Sequence, residues 1–137
     1  MEFTYTIEGG NFSQAGIASS EVKKILKQLN VDLSVIKRIV VALYEAEVNV
    51  VAHAYEGIMK VKLFPGSIEV TIADKGPGIS DISLAMQEGY STASPQVREM
   101  GFGAGMGLPN IKKNCDKLEI ESKVDVGTTL KMTTFFN

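Results

Sequence analysis

The feature that most restricts this chain is a helix with almost no side to give to water. From residue 33 to about 55, Ile36, Ile39, Val40, Leu43, Tyr44, Val50 and Val51 form one stripe at helical spacing, with Asp32 placed as its N-cap. The opposite side carries Val41, Ala42, Glu45, Asn49 and Ala52. Apart from Glu45 and Asn49, that side is also small or apolar. A helix apolar nearly all round is buried rather than laid on a surface. Glu45 and Asn49, one turn apart, are then two polar groups on an enclosed face, which is costly unless something polar meets them. Glu47 falls within the main apolar stripe, where nothing in the sequence accounts for it.

The segments around this helix read as a mixture of strands and helices. Phe3 to Ile7 alternates apolar and polar residues and is closed by Gly9-Gly10, the pattern of a strand. Ala18, Val22, Ile25, Leu26 and Leu29 predict an amphipathic helix over 13–29, with Lys23, Lys24 and Lys27 outside and Asn30 at its end. Strands over 58–64 and 67–74 flank a tight turn at Pro65-Gly66. Asp74 has the parity of Ile68, Val70 and Ile72, so its carboxylate points to the core side at the strand end. A short helix near 80–87 follows, then a polar run from Gly89 to Met100, and a helical pattern through Leu108, Ile111 and Cys115. Strands over 118–121 and 128–136 close the chain. Hairpins rather than regular βα alternation connect these later strands. The expectation is one α/β domain over 1–137 with a mixed or antiparallel sheet.

Composition narrows the function classes. The chain has 137 residues, 45% of them apolar, and a net charge of −2. That is globular composition with enough length for a core. The slightly acidic balance argues against nucleic acid or an anionic membrane as the main partner. One cysteine excludes a disulfide framework and a Cys-rich zinc module. No run approaches about 18 apolar residues, and Met1-Glu2-Phe3 lacks the start of a signal peptide, so a cytoplasmic location is expected.

Three motifs carry chemistry. Glu45-x-x-x-Asn49 sets a carboxylate beside a carboxamide: the first can take a proton from a hydroxyl, the second can ligate Mg²⁺. Taken alone the pair is also an ordinary solvated helix face. Asp74-x-Gly76-x-Gly78 joins a core-directed acceptor, suited to an exocyclic amino group, to glycines that let the backbone approach a flat ring. Taken alone it is a common turn sequence. Gly101, Gly103, Gly105 and Gly107, with Pro109 near the first turn of the next helix, make a cradle of backbone amides suited to an anion. The run lacks the Lys-Ser/Thr pair of a Walker A loop and the strand context of a dinucleotide fingerprint.

In this order, and with Gly127-Thr128-Thr129 before the last strand, the motifs resemble the GHKL ATPase superfamily of gyrase, heat-shock chaperone, histidine-kinase and mismatch-repair ATPases. The stretch from Glu45 to Tyr55 is most similar to small bacterial anti-sigma factor and switch-protein serine kinases. The resemblance spans residues 3–136. It implies a two-layer α/β sandwich, a mixed β-sheet with helices on one face (the Bergerat-type ATP-binding fold), and ATP held between the layers. It further implies Mg²⁺ on Asn49, adenine on Asp74, and a base pocket shaped by Gly76 and Gly78. Gly101, Gly103, Gly105 and Gly107 would form the lid over the phosphates, and Thr129 would add a contact near the base. Glu45 would be the catalytic base toward a serine or threonine of an anti-sigma antagonist, with a sigma factor sharing the same surface and a homodimer as the expected assembly. Val48 departs from the pattern, because relatives often place a small hydroxyl residue before the asparagine.

The remaining candidates have plainer readings. His53, one turn beyond Asn49, reads as a packing or capping residue, and Cys115 as a buried thiol. Arg98 could meet a γ-phosphate or be a solvated loop charge. Lys75 could reach ribose or phosphate or stay in solvent. Lys112, Lys113 and Lys117 read as an exposed helix face. The implied activity is serine/threonine phosphotransfer from Mg-ATP. A nucleotide-gated binding module without turnover and a simple ATP hydrolase remain open beside it.

Overall fold

The computed structural model describes residues 1–87 and 107–137. Five strands form its sheet: β1 (Glu2–Glu8), β2 (Glu56–Phe64), β3 (Ser67–Lys75), β4 (Lys117–Lys123) and β5 (Gly127–Phe135). Their order across the sheet is β1-β2-β3-β5-β4, and every neighbouring pair is antiparallel. Of the two sheet types open from the sequence, the chain takes the antiparallel one. The mixed sheet implied by the family resemblance is replaced, because each described connection between neighbours reverses direction. Phe64 pairs with Ser67, so Pro65 and Gly66 are the whole connection between β2 and β3.

One face of the sheet is apolar. Met59, Val61, Leu63, Ile68, Val70, Ile72, Leu130 and Met132 are all buried on it. The alternating positions put Lys60, Lys62, Glu69, Thr71, Glu119 and Lys131 on the other face. There Lys131 meets Glu69 at 3.2 Å and Glu119 at 3.9 Å. The helices therefore have one face to cover, and the two-layer arrangement follows.

Those helices are α1 (Ile17–Gln28), α2 (Leu33–His53), α3 (Ile82–Ala85) and α4 (Gly107–Lys113), with a 3₁₀ turn at Phe12–Gln14. The helix expected over 13–29 is thus split, and α1 starts only after Gly16. Asp32 caps α2 through its side chain, which accepts from Ser34 N at 2.8 Å. α2 lies in the middle of the helical layer, with α1 on one flank and α4 on the other. This position buries Ile36, Ile39, Ala42, Leu43, Ala46, Val48, Val50 and Val51. Tyr44, assigned to the stripe by spacing, lies at its margin and is 40% exposed, with its ring over Gly16.

Glu47 now has a physical account. It is 2% exposed, and its carboxylate sits on the first turn of α1. Oε2 accepts from Gly16 N at 2.9 Å and Ala18 N at 3.2 Å. Oε1 accepts from Ser19 N at 3.0 Å and from Ser19 Oγ at 2.6 Å. The start of α1 has no side-chain cap of its own at Gly16, so the missing acceptor is delivered from α2. Negative charge at a helix N-terminus is also favoured by the helix dipole.

Replacing Glu47 by alanine would leave three backbone N–H groups and one hydroxyl without an acceptor in the core. The expected loss is about 3 kcal/mol or more in urea unfolding. Glu47→Gln should lose less, since its amide oxygen still accepts from part of the donor set. A loss under about 1 kcal/mol for Glu47→Ala would mean that α1 does not depend on this cap.

Candidate functional site

Glu45, Asn49 and His53 follow one another along α2, and the ends of three strands meet near its C-terminal end. Glu45 and Asn49 are both half-buried and lie on the flank of α2 that faces α4. Gly107 opens α4 against Glu45, and a Cβ built on it would stand 3.7 Å from Glu45 Oε2. Leu108, Pro109 and Ile111 anchor α4 in the core, while Asn110 reaches the Glu45 carboxyl from the same turn. Burial pushes the Glu45 carboxyl above the usual glutamate range, and the Asn110 hydrogen bond partly opposes this.

Farther along, α2 ends at His53, and the turn after β3 packs on that end. A Cβ on Gly76 would stand 3.0 Å from Ala54 Cα and 3.5 Å from the His53 carbonyl oxygen. The imidazole of His53 is held below its ordinary pKa by burial, so the neutral ring is favoured. Asp74, at the end of β3, is half-buried with its Oδ1 accepting from Thr128 N at 3.0 Å. Burial raises its carboxyl, and the Thr128 N–H works against that rise. Eight residues of helix separate Glu45 from His53, about 12 Å along the α2 axis. The site is therefore elongated, with an acceptor at one end and a carboxyl–amide pair toward the other.

The turn after β3 is clamped by the β4–β5 hairpin. Gly76 N donates to Val126 O at 3.2 Å, and Asp125 N donates to Pro77 O at 2.8 Å. Ile79 N donates to Ser122 Oγ at 2.7 Å. Gly78 has φ +74° and lies against Lys123, whose carbonyl a Cβ would strike. Gly127 approaches the Asp74 carbonyl so closely that a side chain there would collide with it.

The expected site residues divide as follows. Glu45, Asn49, Asp74, Gly76, Gly78 and Gly107 are brought to one side of α2 and its C-terminal end. Gly101, Gly103, Gly105 and Arg98 lie outside the described residues. Thr129 pairs with Ala73 and Glu121 and has the parity of the open face, whereas buried Thr128 meets Asp74. Lys75 also faces outward and pairs with Glu56 at 3.3 Å. Cys115 is a buried free thiol, as expected. Strand alternation from buried Leu130 and Met132 would have selected Thr128 over Thr129. For Ser122 and Asn110 the sequence carries no comparable signal, because their roles depend on contacts between distant segments.

Among the described residues no three His, Cys, Asp or Glu side chains form a metal cluster, and no helix is long and apolar enough to cross a membrane.

Comparison with known proteins agrees with this fold. The family model described as the histidine kinase-like ATPase domain matches residues 12–134. The chain is 34% identical to an anti-sigma F factor of Thermoanaerobacter sp. (strain X514), covering 98% of this chain and 96% of that protein. An anti-sigma F factor of Caldanaerobacter subterraneus subsp. tengcongensis is 32% identical, with 98% and 92% covered. Among solved structures, the RsbU and RsbW domains of a Mycobacterium tuberculosis protein superpose with a TM-score of 0.67 at 18% identity, over 98% of this chain and 32% of that longer one. The mycobacterial sensor histidine kinase MprB gives a TM-score of 0.56 at 15% identity, with 98% and 97% covered. The structural likenesses establish the fold, and the family match and sequence identities establish kinship: the chain belongs to the histidine kinase-like ATPase domain family.

Proposed function

We propose that this protein is an anti-sigma regulatory factor that binds ATP and transfers its γ-phosphoryl group to a serine or threonine of a protein antagonist. The observation that carries the reading is the placement of Glu45 and Asn49, one turn apart and half-buried on one face of α2, with Glu45 against the first turn of α4 and about 12 Å along the helix axis from His53, where the Gly76 turn packs. The relatives' name, anti-sigma F factor, supports a sigma factor as the protein held in check, and the antagonist as acceptor follows from the motif resemblance.

The nucleotide base would lie against Asp74, between the Gly76–Gly78 turn and the end of α2, with the phosphates directed toward the glycine run that ends in Gly107. Asn49 offers one neutral oxygen. This fits a Mg²⁺ ion that is carried mainly by phosphate and water and takes few protein ligands. Such an ion would neutralise triphosphate charge. Glu45 would accept the proton of the acceptor hydroxyl as its oxygen forms the new bond to the γ-phosphorus, with ADP as the leaving group. The direction of the shift suits this task, since a more basic carboxylate takes a proton more readily.

The test is phosphotransfer from labelled Mg-ATP to the cognate antagonist. Glu45→Gln should lower the rate by about 10²–10⁴-fold while nucleotide binding persists. Equal rates for the variant and wild type would refute the kinase assignment. Because the working form of Glu45 is ionised and its pKa is raised, activity should fall on the acid side at a pH above the ordinary glutamate range. An acid limb at or below that range would mean that another group titrates. Thermal shifts with ATP and GTP address the base site separately. Wild type should respond more strongly to ATP, and Asp74→Asn should abolish the difference; equal ATP and GTP shifts in wild type would argue against the role given to Asp74.

A further inference from the structure

Ser122 supplies a side-chain acceptor to the backbone just after the Asp74–Gly78 motif. It lies in β4 on the helix-facing parity of Leu118 and Ile120, directly across from Thr128. Its hydroxyl accepts from Ile79 N at 2.7 Å, just after the Asp74–Gly78 motif. It also lies 2.8 Å from Thr128 Oγ1 and 3.2 Å from the Gly127 carbonyl oxygen. Thr128 in turn donates its backbone N–H to Asp74 Oδ1. One hydroxyl thus joins the loop after β3 to the strand that orients the Asp74 carboxylate.

We propose that Ser122 is a positioning residue that sets nucleobase specificity, by fixing the direction of the Thr128 hydroxyl beside Asp74. This rests on the reading that a nucleotide base lies against Asp74. A serine has one hydrogen to give. Ile79 N–H occupies one lone pair, and the hydrogen can go to Gly127 O or to Thr128 Oγ1, of which Thr128 is the nearer. When it goes to Thr128, the Thr128 oxygen is satisfied as an acceptor and its own hydrogen is released for a ligand. Thr128 N–H takes one of the Asp74 carboxylate's lone pairs, and the others remain to accept from a ligand. The pocket then offers an acceptor beside a donor. The pairing edge of adenine, an amino donor next to a ring-nitrogen acceptor, complements that pair. Guanine presents the reverse, a carbonyl acceptor next to a ring N–H donor.

Without the Ser122 hydroxyl, Thr128 can turn either way, and the Ile79 N–H loses its acceptor. Discrimination should fall more than affinity, because a hydrogen-bonding pocket rejects the wrong partner through groups it cannot turn to suit. Calorimetric titration of wild type, Ser122→Ala and Ser122→Thr with Mg-ATP and Mg-GTP tests this. The ATP-over-GTP affinity ratio should drop about tenfold in Ser122→Ala and stay within about threefold of wild type in Ser122→Thr, which retains a hydroxyl. A wild-type ratio in Ser122→Ala, including equal weakening of both nucleotides, overturns the proposal. So does equal loss of the ratio in Ala and Thr variants. If Ser122→Ala does not fold, Ser122→Cys, close in size with a weaker donor, is read the same way: a reduced ratio supports the proposal and an unchanged one overturns it. A wild type without ATP preference overturns the base-site reading and this inference together, whereas a preference that survives Ser122→Ala overturns this inference alone.

Discussion

The helical layer depends on one carboxylate. Glu47 reaches from α2 to the start of α1 and meets four donors there. The desolvation cost of a buried carboxylate is offset only when its oxygens are fully engaged, as they are here. The contact also fixes a rotation. With Glu47 turned into α1, Glu45 and Asn49 must turn toward α4, since residues two apart on a helix point to opposite sides. The side of α2 left for a ligand is thus determined by the side committed to α1.

The sheet contributes in a different way. Its helix-facing surface is apolar through the middle and gains a cluster of polar groups at one end, where Asp74, Ser122 and Thr128 replace the Ile and Leu residues of their own strands. Three strands therefore change character at the same level. The site lies at this boundary between a dry core and a polar end, where a carboxylate can be partly desolvated without being isolated. The raised pKa of both Asp74 and Glu45 is the electrostatic mark of that boundary.

Much of this was legible in the sequence. The period of α2 and the alternation in β2 and β3 locate the core, and the Asp32 cap and the Pro65-Gly66 turn locate element ends, because these signals are local. Asp74 could be assigned its face by counting from Ile72. What could not be read is whatever depends on two distant segments meeting. The apolar stripe shows that Glu47 is buried, but nothing in the chain says that its donors begin at Gly16. The same holds for Ser122 and Ile79, and for Asn110 and Glu45. Thr129 and Thr128 differ for a simpler reason: adjacent threonines in a strand face opposite ways, and a motif match does not choose between them when parity is ignored.

The placement of Asp74 and Thr128 has a consequence for folding. They stand 54 positions apart in the sequence, and they meet only when β3 has paired with β5. The Glu45–Asn49 pair, by contrast, exists as soon as one helix turn forms. A ligand that needs both ends can bind only a chain in which this long-range pairing is complete. By mass action it would then raise the stability of the whole sheet rather than of one loop, so that occupancy of the pocket reports on closure of the fold at a distance.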